Sequence, residues 1–190
     1  CRDTSILDPD KFDSDIIKTN LGLKGKRVVM FLGTPRAHKG MEELFMAIEK
    51  IKDPRIRLVL IGADPSIQSY IDKMQSNQDR VVIFPKIPFK DLPEHLSAAD
   101  ILVIPQRDTT DTKGQMPAKL FDAMSMAKPI ITTPLSDIEE VLGGYGYLID
   151  PSNPDQLAKT IEYIFANPEE ARLKGLNARK RCQELYDIKV

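Results

Sequence analysis

No run of about 18 apolar residues occurs in this chain, and a membrane-spanning helix needs one. No secretory leader pattern opens it either. Charge of one sign is missing: 27 basic residues face 28 acidic ones, for a net charge of -1. Nucleic-acid binding normally demands a basic excess, so no nucleic-acid partner is expected. Cysteine is scarce. Cys1 and Cys182 stand at opposite ends and form no metal or redox motif, which reads as two free thiols in a reducing, cytoplasmic setting. With only two histidines, His38 and His95, no zinc constellation forms. The acid pairs Asp8, Asp10 and Asp13, Asp15 look like metal-binding pairs. They lie in an acidic lead-in that reads as a solvated linker, away from any strand end, so no metal is expected. Two nucleotide signatures are absent as well. No G-x-G-x-x-G follows a strand-like run, and His38-Lys39-Gly40 is not a Walker A loop.

What is present is ordinary globular composition, 42% apolar and 29% charged over 190 residues, enough for one α/β domain with a real core. Short, near-continuous apolar runs recur at Val28 to Leu32, Leu58 to Ile61, Val81 to Phe84, Ile101 to Ile104, Pro129 to Thr132 and Tyr147 to Ile149. Continuous runs mark strands covered on both faces. Helical spacing separates them. One helix starts near Gly40 and sets Met41, Leu44, Phe45, Ile48 and Ile51 on one side. Others are expected over residues 66–75, 92–99, 117–126, 137–142, 155–165 and 168–186. The alternation predicts a single Rossmann-like, doubly wound α/β domain of about six mostly parallel strands with helices on both faces. Each crossover is expected to be right-handed.

Ligands bind such sheets beyond the carboxyl ends of the strands. There the sequence places Gly33 to Gly40 after the first run, Gly62 to Pro65 after the second and Pro85 to Pro88 after the third. A polar stretch, 106–114, follows the fourth and leads through Gly114-Gln115-Met116-Pro117-Ala118-Lys119 into a helix. Two glycine-bearing helix starts, each with a lysine nearby, suit an anion such as phosphate. The stretch 106–114 carries no apolar anchor, so it is expected to be mobile without ligand.

These pieces, in this order, resemble the donor-binding half of a family-4 retaining glycosyltransferase of the two-domain GT-B type. Residues 2–9 resemble the segment between that family's domains. Leu21-Gly22-Leu23 precedes the first strand as in the family, and Phe31 to Gly40 resembles the loop that holds the donor diphosphate. Leu92-Pro93 and Ala98-Ala99-Asp100-Ile101 resemble the helix and strand after the base-binding turn. Lys119 to Met124 and Lys128 to Ile131 resemble the ribose-binding helix and the next strand.

The resemblance implies roles. Lys39 would grip the diphosphate with Gly33 and Thr34, Lys86 and Ile87 would hold the base edge, and Asp122 would accept the ribose hydroxyls. Gly114, Gln115 and Met116 would turn backbone N–H groups to the diphosphate, and Lys119 belongs to a sub-branch with lysine in this helix. Three departures stand out. Thr34 occupies the place of the family's arginine, Gly114 that of its first Glu-x7-Glu acid, and Gly114 to Pro117 replace a glycine-rich turn. Arg36, and Asp108 or Asp111, are the nearest substitutes for the missing groups. The implied activity is transfer of a sugar from a nucleotide-sugar to an acceptor hydroxyl with retention and no metal cofactor, in the cytoplasm or at the inner membrane face. Residues 1–24 read as lead-in and first helix, and 25–190 as the donor domain. Because the chain begins with Cys1, it reads as a fragment lacking an N-terminal acceptor domain and inactive alone. Two alternatives stay open: a nucleotide-binding module without transfer, and a GT-B sugar-nucleotide epimerase relative.

Overall fold

A computed structural model describes residues 2–190; the expectation for Cys1 lies outside the described residues. The strands are β1 (Arg27–Leu32), β2 (Ile56–Ile61), β3 (Val81–Phe84), β4 (Ile101–Ile104), β5 (Ile130–Thr132) and β6 (Tyr147–Leu148). They form one sheet in the order β3-β2-β1-β4-β5-β6, parallel at every junction. The order reverses between β1 and β4, so the topological switch point lies there.

The apolar runs are continuous because alternate residues feed separate cores. Val29 and Phe31 of β1, Leu58 and Leu60 of β2, and Ile101 and Val103 of β4 pack under one helical layer. Val28, Met30 and Leu32, Val59 and Ile61, and Leu102 and Ile104 pack under the other. The first layer is built from α2 (Met41–Lys50), α3 (Gln68–Ile71) and α7 (Pro154–Ala166). The second is built from α4 (Leu92–Ser97), α5 (Ala118–Ser125), α6 (Ile138–Leu142) and α8 (Pro168–Leu185). Each fully buried Leu, Ile or Phe contributes about 1.5–3 kcal/mol through removal of apolar surface from water.

Two expectations are corrected. The helix expected over 66–75 is short. It begins with a 3-10 turn and ends at Ile71, and the N–H groups of Gln75 and Ser76 go to Glu49 Oε1, the latter at 3.1 Å. A carboxylate on α2 thus takes the donors that a longer helix would have used. The acidic lead-in is not a solvated linker. Asp13 caps α1 (Ser14–Asn20) by accepting from the N–H groups of Asp15 and Ile16. Leu7 is fully buried, and Arg179 of α8 donates to Leu7 O at 2.7 Å and to Asp8 Oδ1 at 2.9 Å. Arg2 pairs with Asp187 in a short parallel bridge. Asp8 and Asp13 serve a cap and an ion pair, and among the described residues no three His, Cys, Asp or Glu side chains gather as a metal site.

Candidate functional site

Beyond the carboxyl ends of β1, β2 and β4 opens a cavity of about 530 Å3. Its floor is Leu32, Gly33, Ile61 and Gly62, and Gln106 and the start of α5 close one side. At the β3 end stand Lys86, Ile87, Phe89 and Leu92, an apolar corner with one exposed lysine.

Gly40 sets the shape of the β1–α2 loop. It adopts φ +71°, and a Cβ there would lie 1.7 Å from Pro105 O. Only glycine therefore lets this loop close against the end of β4. The contact is reinforced next door: Arg107 N–H donates to His38 O at 2.9 Å, and its guanidinium meets Glu43 at 2.6 Å and Glu42 at 2.8 Å. The loop thereby presents Lys39 to the cavity, its Nζ donating to Thr34 O at 3.1 Å.

Lys119 reaches the same loop from α5. Its Nζ donates to Leu32 O at 2.8 Å and lies 3.9 Å from the centre of the Phe31 ring. Burial, and secondarily the charge of Lys39, push Lys119 down to about 7. Burial and then Arg36 also lower Lys39. Each of the two lysines has a backbone carbonyl as its hydrogen-bond partner and no ion-pair partner among the described residues. Two desolvated cations, each lowered by burial and by a neighbouring positive charge, are the environment that a bound anion relieves. The first turn of α5 adds N–H groups without intrahelical acceptors.

Asp122 also lines the cavity, but Arg2 holds its Oδ1 in an ion pair. Burial raises the Asp122 carboxyl, and the Arg2 hydrogen bond opposes that rise. Arg2 also lies over the Phe89 ring, at 5.8 Å from its centre, so the lead-in borders the cavity on this side.

The cavity thus brings together Gly33, Lys39, Lys86, Ile87, Gln115, Lys119 and Asp122. Thr34, Arg36, Asp111, Gly114 and Met116 are not among its lining residues. Arg36 turns to Asp64 at 3.4 Å, and Asp111 Oδ2 lies 3.8 Å from His38 Nδ1. Asp108 meets Lys113 at 3.5 Å, and Met116 packs on the core. The N–H of Gly114 goes to Ser136 Oγ at 2.9 Å, and that of Gln115 to Thr112 O at 3.2 Å. The stretch 106–114 does have an anchor, a polar one. Thr112 is fully buried, its hydroxyl donating to Arg107 O at 2.6 Å and accepting from Thr109 N–H at 3.0 Å. Apolar patterning was the wrong signal for a loop that is pinned by hydrogen bonds. Gln106, Gly62, Phe89 and the Arg2 clamp are site features to which the sequence reading gave no role. Gln106 and Gly62 had a visible signal, their places just after β4 and β2.

Three comparisons bear on the whole. Residues 26–167 match the family model described as glycosyl transferases group 1. Spore coat protein SA of Bacillus subtilis is 26% identical over 183 residues, which is 90% of this chain and 48% of that protein. The chain thus spans about half the length of this curated relative. The crystal structure of the C-terminal domain of the group 1 glycosyl transferase LpcC from Francisella tularensis superposes with TM-score 0.85. It is 21% identical and covers 99% of this chain and 100% of that one. Anabaena HepE, solved in complex with UDP-glucose, also gives TM-score 0.85 at 18% identity, covering 98% of this chain and 52% of that one. The fold is that of a GT-B C-terminal domain, and among the described residues no helix is long and apolar enough to cross a membrane. On a family match that spans most of its length, the chain belongs to the group 1 glycosyl transferases.

Proposed function

We propose that this chain binds the nucleotide-sugar donor of a glycosyltransferase, with the donor diphosphate between Lys39 and Lys119. The observation that carries this reading is the convergence of two desolvated lysines on one loop, with backbone carbonyls for partners. The apolar corner at Ile87, Phe89 and Leu92 suits a base, and the corner stands at the β3 end of the cavity floor. The Lys86–Ile87 backbone presents the edge contacts. The UDP-glucose bound by HepE supports the choice of ligand class.

In the reaction, negative charge grows on the departing nucleoside diphosphate. Cations fixed beside it before the bond breaks lower that barrier without further reorganisation. Lys39, Lys119 and the first turn of α5 do this here, and the closed Gly40–Pro105 contact keeps the loop in place. Transfer to an acceptor hydroxyl with retention, and without a metal cofactor, completes the proposal. The acceptor is held by a second domain of the full-length protein, so this chain alone binds donor and transfers nothing. The proposed location is cytoplasmic.

A second reading has one observation in its favour. Arg36 and Asp111, the substitutes for missing family groups, pair with Asp64 and His38 outside the cavity, as a nucleotide-binding module without transfer allows. A thermal-shift screen of UDP, GDP and ADP tests the shared claim. At tenfold excess over Kd, binding adds roughly 1.4 kcal/mol of stability. If no nucleoside diphosphate raises the melting temperature, both readings fail. If one does, turnover by the full-length protein separates transferase from module.

A further inference from the structure

Gln106 is the polar side chain that the site has not yet used. It is 4% exposed, it lines the cavity, and no protein donor reaches its Oε1. Buried amide groups without partners are rare in folded proteins, and each one calls for a reason. The backbone on either side of Gln106 is fixed. Its own N–H is held by Ile104 O at 3.0 Å. Pro105 before it packs on Gly40, and Arg107 after it is fixed to Glu42, Glu43 and the His38 carbonyl. The residue is therefore anchored at the cavity wall by its backbone, and its carboxamide oxygen has hydrogen-bonding capacity unspent.

Its place in the sheet says what would meet it. In the order β3-β2-β1-β4, the apolar corner stands at β3, the lysines converge at the end of β1, and Gln106 follows β4. Neighbouring strands lie roughly 4.8 Å apart. A ligand with its base at β3 and its diphosphate over β1 therefore projects its next group toward β4. In a nucleotide-sugar, the group beyond the diphosphate is the sugar. We propose that Gln106 is a specificity residue whose carboxamide hydrogen-bonds the hydroxyls of the donor sugar. This inference rests on the donor-binding reading above. A hydroxyl both donates and accepts, so it satisfies the amide whichever way the carboxamide is turned.

The test compares bare and sugar-bearing nucleotides on wild type and Gln106→Met, with UDP against UDP-glucose and GDP against GDP-mannose as probes. Wild type is expected to bind one of the nucleotide-sugars more tightly than its own diphosphate. Gln106→Met should reduce that increment by about 3- to 10-fold, the range of one net hydrogen bond. Affinity for the bare diphosphate should stay within about twofold. The melting temperature should hold or rise, because the variant removes a buried acceptor that has no partner. Gln106→Leu, run in parallel, guards against a packing fault peculiar to methionine. A wild type without a sugar increment, an increment that survives both variants, or an equal loss for both ligands with a fall in melting temperature each overturns the proposal. Binding of no diphosphate at all overturns the donor reading, and this one with it.

Discussion

A second cavity, of about 470 Å3, lies at the amino ends of β1, β4 and β5 and is lined by Lys18, Lys26, Asp100 and Lys128 among others. It is close in size to the site at the carboxyl ends, and each cavity holds a half-buried lysine that burial pushes down. Their surroundings differ. Lys128 donates to Ser97 O at 2.8 Å. Burial lowers it to about 8, while the charge of Asp100 works to raise it. Asp100 also binds Lys18 at 2.7 Å and accepts from Val28 N–H at 2.7 Å. The amino-end cations thus come with a carboxylate that ties α1 to β1. At the carboxyl end, the neighbour of Lys119 is a second cation, Lys39, and the one acid in that cavity, Asp122, is held by Arg2. Cavity volume does not separate a ligand site from a packing gap here; charge left without a counter-charge does.

The largest expected effect that sharpens this contrast is on stability. Gly40→Ala at the carboxyl end meets Pro105 O at 1.7 Å and a φ of +71°, whereas Gly25→Ala, before β1, has the same φ and nothing within 4 Å. Denaturant unfolding should show Gly40→Ala losing about 3 kcal/mol or more, against about 1 kcal/mol for Gly25→Ala, which bears the backbone strain alone. Equal losses would mean that the β1–α2 loop is not locked on β4.

Next comes affinity. Lys39→Ala and Lys119→Met should each weaken nucleoside diphosphate binding by roughly 10- to 100-fold, the value of one charge-assisted hydrogen bond. Lys128→Met should leave it within about twofold. A direct titration decides between the two ends, since loss in Lys128→Met alone would move the site to the amino end.

A third effect is a pH dependence of stability. Unfolded lysine titrates near 10.5, and folded Lys119 at about 7. Between those values the unfolded chain holds more protons, so stability rises with pH across that window. The penalty is full below about 7 and gone above about 10.5. Lys119→Met should therefore stabilise the protein near pH 7 and lose that advantage by pH 10. Unfolding at the two pH values checks the sign, and an advantage that grows with pH would refute the burial of the charge.

The strands were legible because burial on both faces writes itself as a continuous apolar run, as at Val28 to Leu32. Lys39, Lys86, Ile87 and Lys119 were legible as cavity candidates because strand order puts their segments at one end of the sheet, and Asp122 was legible only through the family resemblance. What stayed hidden depends on distant partners. Arg2 reaches Asp122 across 120 positions, and Leu7 and Asp8 find Arg179 on the last helix. No local pattern records such pairings. Thr112 and Gln106 were hidden for another reason: a polar residue reads as exposed until the packing shows it buried.

The central claim is that Lys119 is held short of its full charge until an anion arrives. Calorimetric titration of UDP or GDP at pH 7.5, in two buffers of different ionisation heat, tests this most directly. The charged groups facing Lys119 are Lys39 from the β1–α2 loop, Lys86 from the β3 end, and the Asp122–Arg2 pair. Wild type and Lys128→Met should take up roughly 0.7 of a proton on binding, and Lys119→Met much less. Binding without proton uptake in wild type, or uptake lost in Lys128→Met and kept in Lys119→Met, would contradict the account.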